Sequence, residues 1–149
     1  MSSSESGSAL LVAKDAVSDV IRRYAYGIDT RNDEMVRSCF DRNATIEGTM
    51  FSGGLEDYLP RLLSTVRSYG ATMHQLGTQL IEVGADTATA QNYVIAYHFR
   101  DLAGTEEDLV VGVRYRDRLN RGVDGRWRIV ERSVVPMWRR GRLPVEESQ

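Results

Sequence analysis

ATMHQLGTQLIEVGADTATAQNYVIAYHFRD, residues 71–101, decides the fold. Two extended runs rich in β-branched and aromatic residues flank Gly84-Ala85-Asp86, a turn sequence. The pattern predicts strands at 72–83 and 87–101 paired as an antiparallel hairpin. Downstream, Ala103-Gly104 and Asp124-Gly125 bound two further runs, predicting strands at 107–119 and 126–138. Four long strands in one meander must curl to bury a face.

Upstream the apolar period is helical. Val17, Ile21, Tyr24 and Ile28 recur along residues 10–30, with Gly27 near the end. Asn32 caps a short second helix over Asp33 to Phe40. Ala44 to Met50 reads as a strand and Ser52-Gly53-Gly54 as a turn. Leu55 to Ser68 reads as a third helix, with Leu59, Leu62, Leu63 and Val66 on one side and Pro60 blurring its start. Residues 1–8, rich in Ser and Gly, read as a disordered tail, 9–140 as a single domain, and 141–149 as a polar tail. The expected class is therefore α+β, in the order α-α-β-α-β-β-β-β: a mostly antiparallel sheet curled into a cone-shaped barrel around a pocket.

The totals narrow the function classes. The chain has 149 residues, 42% hydrophobic and 27% charged, with a formal net charge of −2, so neither disorder nor attraction to polyanions is favoured. The arginines of the C-terminal third alternate with Tyr115 and Asp117, as on a solvated strand face, without the aromatic platforms that single-stranded nucleic acid requires. Cys39 is the only cysteine, which excludes an intrachain disulfide and points to a reducing compartment. The first residues lack a basic leader, and no apolar run approaches membrane-spanning length. The expectation is a cytoplasmic protein with no membrane or nucleic-acid partner.

Few residues can carry chemistry. Asp29 follows Ile21 and Ala25 on the apolar side of the first helix, and a carboxylate there needs a partner. It either caps the helix end or orients a catalytic group. Both histidines, His74 and His98, fall in predicted strands, and the turn at 84–86 brings them toward one open end. Imidazole titrates near neutrality, so a carboxylate on one nitrogen leaves the other as a proton acceptor. Arg132 shares a strand face with Arg128 and Val130; facing inward it would stabilise an anion, facing outward it would be surface charge. Tyr24, Met50, Phe51, Leu55, Tyr58, Tyr93, Tyr97 and Trp138 are candidate pocket-lining residues. No HExxH, nucleophile elbow or phosphate loop is present, so no metal or cofactor is expected.

Together, Tyr24-Ala25-Tyr26-Gly27-Ile28-Asp29, Ala44-Thr45-Ile46-Glu47-Gly48, Met73-His74-Gln75-Leu76-Gly77 and Trp127-Arg128-Ile129 resemble the SnoaL-like branch of the nuclear-transport-factor-2-like superfamily. The similarity spans about residues 13–138. It implies that Asp29 and His74 are the Asp–His pair found in scytalone dehydratases, hexachlorocyclohexane dehydrochlorinases and bile-acid dehydratases. It also implies that His98 is a second pocket histidine and Arg132 a pocket arginine. Where scytalone dehydratases carry a Tyr before the Asp, this chain has Ile28, and Glu47 or Gly48 falls near their second tyrosine.

The expected activity is a cofactor-free acid–base lyase or isomerase, by preference a dehydratase, on a hydrophobic cyclic compound of polyketide, steroid-like or aromatic type. His74 would take the proton, Asp29 would orient His74, His98 would donate to the departing hydroxyl or the carbonyl oxygen, and Arg132 would steady the negative charge. A cyclase or epoxide-opening enzyme of natural-product biosynthesis, or a non-catalytic small-molecule binding module, are the alternatives. The resemblance further implies a homodimer or homotrimer.

Overall fold

The computed structural model describes residues 2–143. Three helices, α1 (Ser3–Asp29), α2 (Asp33–Ser38) and α3 (Leu55–Arg67), cover six strands: β1 (Phe40–Glu47), β2 (Ser52–Gly54), β3 (Ala71–Val83), β4 (Thr87–Phe99), β5 (Leu109–Arg121) and β6 (Trp127–Arg140). They form one curled, unclosed sheet in the order β2-β1-β6-β5-β4-β3. The last four strands make the expected antiparallel meander, and β1 joins β6 in parallel, with Ile46 opposite Arg132.

Alternation decides which face is inside. In β4, Ala88, Ala90, Asn92, Val94 and Ala96 point to the core, while the intervening residues point out. In β5 the inner row includes Val113, Tyr115, Asp117 and Leu119, with Arg116 and Arg118 exposed. Against this concave face α1 lays Val17, Ile21, Tyr24 and Ile28, all buried. Leu55, Leu59, Leu63 and Val66 of α3 close the other side. Burying one large apolar side chain contributes about 1.5–3 kcal/mol, so this layer is the main support of the fold.

Two sequence expectations are corrected. The first helix begins at Ser3, inside the stretch expected to be disordered. Ser2 caps it through the Glu5 amide, and the Glu5 carboxylate accepts the Ser2 amide. This reciprocal box satisfies two helix-end donors and was hidden in a Ser-rich composition. Its first turns stand clear of the core, leaving Leu10, Leu11 and Val12 exposed. Ser52-Gly53-Gly54 is a short strand rather than a turn, because it pairs antiparallel with Thr45, Ile46 and Glu47. Helix α3 continues through Pro60. Of the expected C-terminal tail, residues 141–143 are described and 144–149 lie outside the described residues. Among the described residues no helix is long and apolar enough to cross a membrane.

Candidate active site

The end of α1 is fastened to the start of β3. At Gly27 the helix packs so closely on α2 that an added Cβ would lie 2.9 Å from the Val36 side chain. Arg31 then adopts a left-handed backbone, φ 56°, and its Nη2 donates to the Tyr69 carbonyl at 2.6 Å. The chain therefore turns sharply, and Asp29 faces the opening residues of β3.

There its carboxylate accepts three hydrogen bonds. Oδ1 takes the Thr72 hydroxyl at 2.9 Å and faces His74 Nδ1 at 2.8 Å; Oδ2 takes the His74 amide at 2.7 Å. Asp29 thus bonds the opening of β3 instead of capping its own helix. Burial pushes its pKa up, but the His74 side chain, the His74 amide and the Thr72 hydroxyl outweigh that and hold it below the usual carboxylate range. A carboxylate accepts only, so the proton between the two side chains belongs to Nδ1.

His98 lies diagonally across the β3–β4 pair. Thr72 is opposite His98 and His74 is opposite Ala96, the register having slipped at a bulge between Leu76 and Gln79. The two rings meet edge to face, centroids 5.9 Å apart. Burial, reinforced by the neighbouring His74, pushes the His98 pKa down to about 4. Its Nδ1 is 3.3 Å from the Leu109 carbonyl, which can only accept. A neutral ring with Nδ1–H engaged presents Nε2 as an acceptor, opposite in polarity to the proton donor expected from sequence.

His74 and His98 line a cavity of about 120 Å³ with Tyr24, Met50, Phe51, Tyr58, Val113 and Tyr115 among its other walls. Of the residues expected to line it, Tyr24, Met50, Phe51 and Tyr58 do so. Leu55 is instead fully in the core. Tyr93 and Tyr97 occupy the outward row of β4, and Trp138 lies outside against Gly112, where an added Cβ would overlap its indole. Alternation on β4 opposes 93 and 97 to 98, so one strand could not send all three inward.

Arg132 faces in but misses the cavity wall. Its Nε and Nη2 grip both oxygens of Asp117 at 2.7 and 2.8 Å. The two side chains are 1% and 0% exposed. Burial works against the guanidinium charge, but Asp117 outweighs it and raises the pKa. Sequence reasoning passed over Asp117, Thr72 and Tyr115. Each was within reach: Thr72 shares a strand face with His74, and the turn at Asp124-Gly125 brings 117 opposite 132.

The fold recurs in solved structures. A Novosphingobium aromaticivorans protein with a provisional scytalone dehydratase assignment aligns with a TM-score of 0.79 at 19% identity, covering 89% of each chain. Kfla4162 from Kribbella flavida aligns at 0.76 and 21% identity, covering 85% of this chain and 92% of its own. The type 3 hexachlorocyclohexane dehydrochlorinase LinA of Novosphingobium barchaimii aligns at 0.74 and 16%, covering 90% and 92%. At such identities these likenesses establish the fold alone. No curated protein matches the sequence. Residues 9–133 match the SnoaL-like domain, and the chain belongs to that family.

Proposed function

We propose that this protein is an acid–base lyase or isomerase, by preference a dehydratase, acting on a hydrophobic compound with a single ring. The observation that carries this is His74 at the cavity wall, bonded from behind by the Asp29 carboxylate, which accepts from three donors. Neutral His74 takes a proton from carbon through Nε2, the electron pair moves toward the neighbouring carbonyl or leaving group, and Asp29 stabilises the imidazolium. A positioned base of this kind contributes about 10²–10⁴-fold. His98 accepts a hydrogen bond from a substrate hydroxyl and fixes its orientation. A cavity of about 120 Å³ favours one ring over a steroid-sized skeleton, since an engineered cavity of roughly 150 Å³ holds benzene.

The test is turnover of a panel of hydroxylated cyclic ketones by native protein, His74→Ala and Asp29→Asn. Loss of turnover with retained folding supports the lyase. No turnover by any form, with ligand affinity unchanged across the three, would instead establish a binding module. We also propose that the protein self-associates through the outer face of the sheet, where Met73, Tyr93 and Trp138 are exposed. A strict monomer by light scattering would refute that.

A further inference from the structure

Three polar side chains meet inside the fold without lining the cavity beside His74. Ser18 of α1 is 4% exposed, and its hydroxyl donates to Gln79 Oε1 of β3 at 2.6 Å. Asn92 of β4 lies directly opposite Gln79 in the sheet and is 1% exposed. Gln79 Nε2, Asn92 Nδ2 and Asn92 Oδ1 are buried and, among the described residues, have no hydrogen-bond partner. Sealing an amide without partners costs more than immobilising a water molecule beside it. Such groups in protein interiors hold ordered water, each molecule making roughly two to four hydrogen bonds.

The bulge in β3 is what brings Gln79 inside. His74 faces inward, so strict alternation would send residue 79, an odd number of positions on, outward. The register shift between Leu76 and Gln79 reverses the parity, leaving Leu80 exposed and Gln79 facing α1. The strand thus gives up ladder hydrogen bonds to bury a polar side chain, which apolar packing does not require.

The height of Gln79 on the strand supplies a reason. Helix α1 bonds β3 at two places, Ser18 on Gln79 and Asp29 on Thr72 and His74. The helix rises about 16 Å from Ser18 to Asp29, and the strand spans about 16 Å from Gln79 back to His74. Because the two spacings match, the helix cannot slide along the strand without breaking both attachments.

We propose that Ser18, Gln79 and Asn92 form a buried water-binding site, and that this hydrated anchor fixes the axial position of α1 and so the seating of Asp29 on His74. Water accepts from Gln79 Nε2 and Asn92 Nδ2 and donates to Asn92 Oδ1, tying β3 to β4 where the bulge has loosened the ladder. The Ser18 hydroxyl ties α1 to the same amide. Ser18 and Gln79 are thereby positioning residues for Asp29. The anchor stands apart from the lyase reading, since the measurements that test it use no substrate.

Oxygen-17 relaxation dispersion counts water molecules held for longer than the protein takes to tumble. Native protein should hold about one more such water than Asn92→Leu, which keeps the volume and removes the polar atoms. Gln79→Leu should show the same loss and replaces Asn92→Leu if that variant does not fold. Equal counts in native protein and the folded variant overturn the site. The seating of Asp29 is read by NMR from the His74 Nδ1 proton, which the Asp29 bond protects from exchange with solvent. Gln79→Leu and Ser18→Ala should speed that exchange severalfold. Ile129→Ala, a core truncation on β6, should destabilise the fold without that change. An exchange rate that follows overall stability in all three variants, and not loss of the anchor, overturns the positioning role.

Discussion

Asp29–His74 and Asp117–Arg132 are both carboxylate–nitrogen pairs serving one cavity, but they differ in what surrounds them. The first has 8% of the imidazole and 23% of the carboxylate side chain exposed, and the second 1% of the guanidinium and 0% of the carboxylate. In the first, the nitrogen partner is an imidazole that lines the cavity. In the second, the partner is permanently charged and clamped between tyrosine rings. A cavity-wall pair can exchange protons with a ligand; a sealed one can only impose a field. Placement separates the pair whose imidazole reaches the cavity from the pair sealed in the core.

The sharpest way to break this contrast is to remove each nitrogen partner in turn. His74→Ala should lower kcat by about 10²–10⁴-fold while leaving the denaturation midpoint nearly unchanged. A variant retaining a tenth of native turnover would erase the distinction. Cutting the sealed pair should do the reverse to stability. Arg132→Met alone leaves a buried carboxylate uncompensated and should cost about 3–5 kcal/mol in urea denaturation. Adding Asp117→Leu should recover most of that loss, because two apolar groups need no partner.

His98 sharpens the comparison through pH. Its folded pKa lies below the unfolded one, so the unfolded chain binds more protons between them. Its contribution is complete above the unfolded value and is lost as pH falls through the window from about 6.5 to about 4. Stability should therefore drop by about 2 kcal/mol from pH 7 to pH 5 on this account, and His98→Gln should flatten that slope. Asp29, held low, acts in a more acidic window, with its contribution lost as pH falls through its folded pKa. The smallest effect belongs to Thr72→Val, which removes one of the three donors to Asp29. It should cost about 1 kcal/mol of stability and lower kcat several-fold, with KM little changed.

The sequence made the sheet legible because strands 72–83 and 87–101 are bounded by an unambiguous turn and alternate strongly. Helix spacing put Asp29 on the apolar side of α1 and the turn at 84–86 brought His74 toward His98, whereas the pairing of Asp29 with His74 came from the family resemblance. The proton polarity of His98 was not legible: it depends on the Leu109 carbonyl, which no side-chain pattern reveals. Arg132 was left undecided between inward and outward because its own strand alternation is neutral. Only its partner on the opposing strand settles the question. Tyr93 and Tyr97 were misplaced by reading aromatic character without parity, although His98 on the same strand fixed which residues could face in. The tail at residues 1–8 was misread by composition, where Ser2 and Glu5 carried the local signal.

The parallel junction of β1 with β6 also sets a timetable for synthesis. Ile46 must wait for Arg132 before its edge of the sheet is complete. Asp29 and His74 emerge from the ribosome far earlier, yet Tyr24 lacks the Arg132 cation on its ring until β6 has been made. Closing so long a loop is slow relative to helix or hairpin formation. The nascent chain therefore carries the Asp29–His74 pair without an enclosing chamber until β6 has been made.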